Sequence, residues 1–160
     1  MQIPAENTIL IDCTVSMIND YSFLIENEKD QWSFRYEYDI DTRVSISTWK
    51  GYVSHIEIVE VFKLLFGFAI KKQISTLAAI SDISKFEGSF DSANEWLVSN
   101  YMPVLVQRGF KLMAFVRPKD FFASLALEDY KNLAQDKGMG YKEGYFNSVQ
   151  QALEWVHQNL

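Results

Sequence analysis

The stretch TLAAISDISKFEGSFDSANEWLVSNYMPVLVQRGFKLMAFV, residues 76–116, decides the fold. It opens on a short apolar run, Thr76–Asp82, and closes on another, Lys111–Val116. Both runs have the length and composition of strands buried in a parallel sheet. The residues between them have a helical pattern over about residues 93–108. A strand, a helix and a second strand in this order predict a right-handed crossover and parallel pairing of the two strands.

Signals for the start, the end and a bend of this helix are present. Asp91 or Ser92 can serve as its N-cap, and Ser92-Ala93-Asn94-Glu95 fits a capping box. Gly109 follows the last turn, where glycine commonly ends helices. Pro103 removes one amide donor inside the pattern, so we expect a kink there.

A second helix is predicted upstream of this stretch. Ser54-His55-Ile56-Glu57 fits a capping box, and the helix runs to about Lys72. Its polar positions form a narrow stripe, and apolar residues fill nearly every other position: Ile58, Val59, Val61, Phe62, Leu64, Leu65, Phe66, Phe68, Ala69 and Ile70. One face of a sheet cannot cover so wide an apolar surface. Either the N-terminal segment or a second subunit therefore packs over this helix.

The two strands of a β-hairpin are predicted before this helix. Apolar and polar residues alternate over Phe34–Asp39 and again over Val44–Trp49, with a polar turn between them. Residues 8–15 form a short β-branched run that we interpret as a strand. No structure is predicted from there to Trp32.

Helical and strand patterns continue to alternate towards the C-terminus. A helix is predicted over about Asp120–Asp136, a strand over Tyr141–Phe146, and a last helix from Asn147. The whole pattern predicts an α/β fold with a largely parallel sheet and an N-terminal hairpin. Residues 33–160 then form a single domain, preceded by residues 1–32 as an extension.

The composition is that of a packed globular protein. The chain has 160 residues, of which 48% are hydrophobic and 15% aromatic, which excludes disordered and low-complexity classes. Its net charge of -6 disfavours a nucleic-acid-binding protein, because phosphate contacts require clustered lysine and arginine. Residues 1–32 hold six acidic residues and one lysine, whereas residues 33–160 hold 15 acidic and 14 basic residues. The acidity therefore belongs to the N-terminal extension.

Two roles for this acidic extension follow from the sequence. If Ile9, Leu10 and Ile11 pack on the first helix, the extension is a structural lid. Otherwise it is the place where a basic protein partner would dock.

The sequence contains no recognised signal for export or membrane insertion. The first residues lack a basic segment followed by an apolar one, and the longest apolar stretch, Ile56–Ile70, is interrupted by charges. The single cysteine, Cys13, excludes an internal disulfide framework and a multi-cysteine zinc site. Its apolar neighbours predict a buried filler rather than a nucleophile. These features predict a cytoplasmic protein without stable membrane insertion.

Two motifs and the order of the elements resemble one known family. The first motif runs from Asn94-Glu95-Trp96-Leu97 through Pro103 to residues 111–116, and the second is the tail Tyr145–Val156. Over about Ser33–His157 the chain resembles SpoIIAA-like proteins of the STAS superfamily. The resemblance implies a four- or five-stranded, mostly parallel sheet with four helices, in proteins that mostly act as regulatory binding modules. Some relatives of this architecture are proposed to bind lipids or other small ligands.

The phosphorylation site of that family is not intact here. Its founding members, anti-sigma-factor antagonists, carry an Asp-Ser-Ser-Gly turn whose second serine is phosphorylated to break a partner complex. The nearest match is Asp91-Ser92-Ala93-Asn94, in which Ala93 stands at the phosphoacceptor position. Unless Ser89 or Ser92 substitutes for it, the chain has no phosphorylation switch of this kind.

Polar residues that follow two of the buried strands make a candidate binding rim. Ligands of open α/β sheets usually bind beyond the carboxyl ends of the strands. We expect such a rim to be formed by Asp82, Ser84, Asp91, Ser92, Arg117 and Lys119. A simpler interpretation is also open, in which Asp82 ends a strand and Asp91 caps a helix. Phosphate loops, metal-ligand spacings and catalytic-serine motifs are absent from the sequence, which predicts no cofactor, no metal and no catalytic residue.

The sequence thus favours a non-catalytic module that binds another protein or itself. A homodimer would form through a self-association face on the over-apolar helix, made of Ile58, Val61, Leu65 and Phe68. An alternative is a carrier or sensor of a small hydrophobic molecule, held in an apolar pocket between the helices over residues 54–72 and 92–108. An enzyme that acts through the rim is the least favoured hypothesis.

Overall fold

The computed structural model describes residue 10 and residues 12–160. Over these residues the chain forms one sheet of seven strands, whose order in space is their order in the chain. The strands are β1 (Cys13–Asn19), β2 (Ser22–Asn27), β3 (Trp32–Asp39), β4 (Val44–Tyr52), β5 (Ala78–Glu87), β6 (Leu112–Val116) and β7 (Lys142–Phe146). Neighbours from β1 to β4 pair antiparallel, and neighbours from β4 to β7 pair parallel. The first half of the sheet is therefore a meander, and the second half is built from crossovers.

Helices make these crossovers and cover the sheet. They are α1 (His55–Lys71), α2 (Asp91–Trp96), α3 (Met102–Gln107), α4 (Phe121–Asp136) and α5 (Val149–Asn159), and a π-helical turn, Leu97–Tyr101, joins α2 to α3. The three crossovers run in one direction across the sheet, so α1, α2–α3 and α4 pack on the same face. On the opposite face, Ala152 and Val156 of α5 pack on apolar side chains of β4, β5 and β6.

The predicted fold class is wrong in the size of the sheet and in the direction of its strands. The sequence predicts four or five mostly parallel strands, whereas the described residues form seven, and the first four are antiparallel. Strands β1 and β2 lie within residues 1–32, the segment predicted as an extension. Of the strand predicted over residues 8–15, residues 8, 9 and 11 lie outside the described residues, and β1 begins at Cys13.

Alternating burial explains why the acidic segment joins the sheet. In β2, Phe23 and Ile25 are fully buried, whereas Glu26, the residue after Ile25, is exposed. The rings of Phe23 and of Phe68 in α1 lie with their centroids 4.9 Å apart. The meander therefore buries one face under α1 and leaves acidic side chains of the other face in solvent.

The apolar surface of α1 is thus covered from within the chain by the N-terminal strands and the rest of the sheet. Of the residues predicted to form a lid over it, Leu10 is buried in the main core. Ile9 and Ile11 lie outside the described residues.

The capping box predicted at the start of α1 is present. Ser54 Oγ accepts a hydrogen bond from the Glu57 amide at 3.3 Å, and Glu57 Oε1 accepts from the Ser54 amide at 3.2 Å. Glu57 Oε2 also accepts from the indole of the buried Trp32 at 2.9 Å. One carboxylate therefore caps α1 and ties it to β3.

We expect Glu57→Ala to lower the free energy of unfolding by about 2–3 kcal/mol, because it removes the cap and leaves the buried Trp32 indole without its acceptor. Urea denaturation measures the change. Glu87→Ala, at an exposed position that ends β5, is the matched control and should change the stability by less than about 0.5 kcal/mol. Equal stability of the two variants would contradict the role of Glu57.

The second predicted capping box does not form. Helix α2 begins at Asp91, its N-cap is Phe90, and no side chain caps it. The Asp91 amide donates instead to Ser89 Oγ at 3.2 Å, and Ser92 is exposed. The turn before α2 therefore uses Ser89, one turn earlier than the sequence pattern indicates.

Candidate functional site

An apolar cavity of about 110 Å³ lies between the sheet and the helices α1 and α2–α3. Its floor is the face of β3 to β6 that packs against α1 and α2–α3. The atoms that line the cavity are mostly carbon, and the cavity is partly open to solvent. The roof consists of apolar side chains of the two helices, among them Ile58, Phe62, Leu65, Leu97, Met102 and Leu105. These are the two helices between which the sequence predicts a pocket.

Small side chains in the middle of the sheet create the space. Tyr36, Ser47, Ser81 and Phe115 form one row across β3, β4, β5 and β6, because each residue is in register with the next. The ends of this row carry aromatic rings, and its two central positions carry only hydroxymethyl groups. The floor therefore drops away from the helices at Ser47 and Ser81, and the cavity lies above them.

A π-helical turn joins α2 to α3 at the roof of the cavity. Pro103 lacks an amide donor, and in the π-helical turn before it the Met102 amide bonds to the Leu97 carbonyl. Helix α1 packs against α2, whereas its close backbone contacts with α3 are few. The rings of Phe62 and Tyr101, with centroids 4.8 Å apart, bridge the two helices over the cavity. The helix predicted over residues 93–108 is thus interrupted by a π-helical turn just before Pro103.

Hydroxyl groups are the main polar atoms of the floor. The Ser47 and Ser81 hydroxyls make no hydrogen bond with other described residues. Burial raises the pKa of Tyr36 and of Tyr101 well above the usual tyrosine value, so both phenols stay protonated. A ligand with an apolar body and one polar group could therefore fill the cavity and still form hydrogen bonds.

Arg108 lies at the lower end of the cavity, which we define as the end where β4 to β7 begin. It is the C-cap of α3, and its Nη2 donates to the Ile74 carbonyl at 2.8 Å. Arg108 is also one of the residues that line the cavity. Among the described residues, no carboxylate forms an ion pair with it.

Among the described residues, the hydrogen bonds of the predicted rim fall into separate groups. Asp82 Oδ1 accepts from the Ser84 hydroxyl at 2.7 Å, and Asp91 Oδ1 accepts from the Ser89 hydroxyl at 2.9 Å. Arg117 donates to Asn147 at 3.4 Å. In the described part of the chain, no hydrogen bond or ion pair joins the Asp82–Ser84 pair, Asp91 and Arg117 to one another. None joins them to the two further rim residues, Ser92 and Lys119.

The faces of the sheet explain this separation. Asp82 has the same parity along β5 as Ala78 and Ile80, which pack against α5. Asp91 and Ser92 begin α2 on the opposite face. Asp82 and the start of α2 therefore lie on opposite sides of the sheet.

The predicted self-association face is buried within the chain. Ile58, Val61, Leu65 and Phe68 have 7% or less of their surface exposed. They lie on the side of α1 that faces the sheet, and they pack in the main core with side chains of the strands. In this structure they support the fold and the cavity wall.

Cys13 lies in β1 and is partly exposed. Burial raises the pKa of its thiol to about 11, and the nearby Glu57 carboxylate adds to the rise. The thiol is therefore protonated at neutral pH.

We expect Cys13 to react with iodoacetamide at pH 8 about tenfold more slowly than free cysteine. A rise of the pKa from 9.0 to about 11 lowers the thiolate fraction about a hundredfold, and the stronger nucleophilicity of the more basic thiolate recovers about tenfold. The rate should continue to rise with pH up to about 11. A plateau of the rate just above pH 9, or a rate at pH 8 equal to that of free cysteine, would show that the pKa of the thiol is not raised.

The described residues contain no group of three or more His, Cys, Asp or Glu side chains placed to hold a metal ion. None of the described helices combines the length and the apolar character needed to cross a bilayer.

No protein-family model, curated protein or solved structure matches the chain. The resemblance to SpoIIAA-like proteins therefore stays a prediction from the residue pattern.

The sequence patterns missed the residues that form the floor and the lower end of the cavity. The alternation over Val44–Trp49 does not by itself assign Ser45 and Ser47 to a buried site, yet both line the cavity. Trp49 was the available signal. It lies on the same face of the strand as Ser45 and Ser47, and a tryptophan there indicates that this face is buried. Arg108 carried no signal beyond its place near a helix end.

Proposed function

We propose that this chain is a non-catalytic module that binds a small apolar molecule in the cavity between α1 and α2–α3. The observation that carries the proposal is a cavity of about 110 Å³ with a mostly apolar wall, whose floor includes the Ser47 and Ser81 hydroxyls. An apolar cavity of about 150 Å³ in another protein stays dry and binds benzene, so a ligand body of about six carbons suits this one.

Burial of such a body supplies a modest affinity. At about 0.8 kcal/mol per buried methylene, six carbons contribute about 5 kcal/mol, which corresponds to a dissociation constant near 0.2 mM before the costs of association. The aromatic frame around the cavity favours selectivity for compact bodies. Trp49 and Phe86 close its upper end with ring centroids 6.2 Å apart, and Phe115 and Tyr130 close one side at 5.3 Å.

The protein-binding function predicted from the sequence has less support. Its predicted face is the buried side of α1, so it is not available to a partner in this structure. The face consists of Ile58, Val61, Leu65 and Phe68. The cavity, in contrast, is present without any rearrangement and is partly open.

A thermal titration with 1-hexanol tests the proposal. At ten times the dissociation constant a ligand of the folded state adds about 1.4 kcal/mol, which raises the melting temperature of a chain of this size by about 3–4 °C. We expect this shift to saturate. The control ligand is 1,2,6-hexanetriol, which has the same carbon length and should give no saturable shift. Equal, unsaturated effects of the two alcohols would overturn the proposal.

A further inference from the structure

We infer that the natural ligand of the cavity carries one carboxylate, which binds Arg108, on an apolar body of about six carbons. The inference rests on the proposed function, because it assigns the chemical class of the ligand of that same site. Nothing else in the cavity carries a formal charge, since the other polar lining residues are Tyr36, Ser45, Ser47, Thr76, Ser81, Tyr101 and Tyr130.

The hydrogen bonding of Arg108 leaves donors for an anion. A guanidinium has five N–H donors, and the structure uses Nη2 of Arg108 for one bond, to the Ile74 carbonyl at 2.8 Å. No described carboxylate pairs with it. A half-buried guanidinium that lines an apolar cavity without a counter-ion is costly, and a carboxylate with two oxygens matches its planar fork.

The loops around Arg108 hold it in place and add positive charge. Arg43 donates from Nε to the Ser75 carbonyl and from Nη2 to the Ser75 hydroxyl, each at 2.8 Å. The Ser75 hydroxyl donates in turn to the Arg108 carbonyl at 3.1 Å. Three connections, residues 40–43, 72–77 and 108–111, are therefore joined at the lower end of the cavity.

These three connections, with the element residue on each side, are basic in an acidic chain. They carry five cations, Arg43, Lys71, Lys72, Arg108 and Lys111, and two carboxylates, Asp39 and Asp41. The chain as a whole has a net charge of -6. Positive potential concentrated at one end of the cavity would draw a small anion towards Arg108 and orient its apolar body inwards.

Calorimetric titrations with two pairs of isosteric probes test this inference: hexanoate with 1-hexanol, and phenylacetate with 2-phenylethanol. At pH 7.5 the folded protein should bind each acid at least about tenfold more tightly than its alcohol, since hydrogen bonds to a charged group contribute that much or more. Arg108→Gln should weaken the acids by about ten- to one-hundredfold and change the alcohols by less than twofold. Retained alcohol binding shows that the variant is folded.

Two controls make the outcome decisive. Arg35→Gln removes an exposed arginine whose ion pair with Glu37 lies on the meander, and it should leave all four affinities unchanged. Arg108→Lys keeps the charge without the fork and should give intermediate acid binding. Equal binding of acids and alcohols by the unaltered protein overturns the inference but leaves the proposed function standing. Failure of all four probes to bind overturns the proposed function as well.

Discussion

Phe23→Ala should lower the free energy of unfolding by about 3–5 kcal/mol, a large part of the total stability of a domain of this size. The side chain is fully buried in β2, where its ring packs against the rings of Phe34, Tyr36 and Phe68. Truncation leaves a cavity in the part of the core that joins the meander to α1. Urea denaturation followed by circular dichroism measures the loss.

Leu24→Ala is the matched control for this substitution. Leu24 is the next residue in β2, faces the other side of the sheet and is only partly buried, so we expect a loss of about 1 kcal/mol or less. A loss below about 1 kcal/mol for Phe23→Ala, or a separate unfolding transition for the N-terminal strands, would contradict a core shared by β1, β2 and α1.

Ser81→Leu should abolish the binding of 1-hexanol and leave the protein folded. The leucine side chain would extend from the central floor position into the cavity and occupy the volume that we assign to the ligand. The added apolar contacts also fill a space that now has no partner atoms, so we expect the melting temperature to stay level or rise by a few degrees. Thermal titration of the variant measures both effects.

The control for that substitution is Ser16→Leu, which introduces the same side chain at an exposed position in β1. It should leave hexanol binding unchanged. Unaltered binding by a folded Ser81→Leu variant would place the ligand elsewhere on the chain.

The parallel half of the fold could be predicted from the sequence. The apolar runs at Thr76–Asp82 and Lys111–Val116 correspond to the start of β5 and to β6. Strands that are covered on both faces have a mostly apolar sequence, and such runs are easy to recognise. The capping residues Ser54 and Glu57 placed α1 within one residue of its observed start. Such signals are local, so a single sequence contains them.

The meander could not be predicted as fully. Strands β1 and β2 are short, and their buried apolar residues, such as Val15, Phe23 and Ile25, are mixed with polar and acidic ones. The pairing of β2 with β3 is supported by contacts with Phe68, which is far away in the sequence. An acidic composition therefore suggested an extension where tertiary contacts form a sheet.

The cavity was only half predictable, for a related reason. An excess of apolar residues on α1 is visible in the sequence and indicated a pocket against the next helix. The floor depends on the alignment of Ser47 with Ser81 across two strands that are connected by a helix, and such register is set by tertiary structure. Arg108 lies at the end of α3 and lines the cavity, and no local pattern around it indicates this contact.

Intermolecular nuclear Overhauser effects in an NMR sample of the protein with 1-hexanol test the central claim most directly, because they locate the ligand. We predict contacts from the hexanol chain to the methyl groups of Leu65, Ala79 and Met113, three residues of the cavity wall, at a saturating 1:1 ratio. Contacts confined to exposed apolar side chains, such as Phe121, Phe122 and Leu125 at the start of α4, would contradict the claim that the cavity is the binding site.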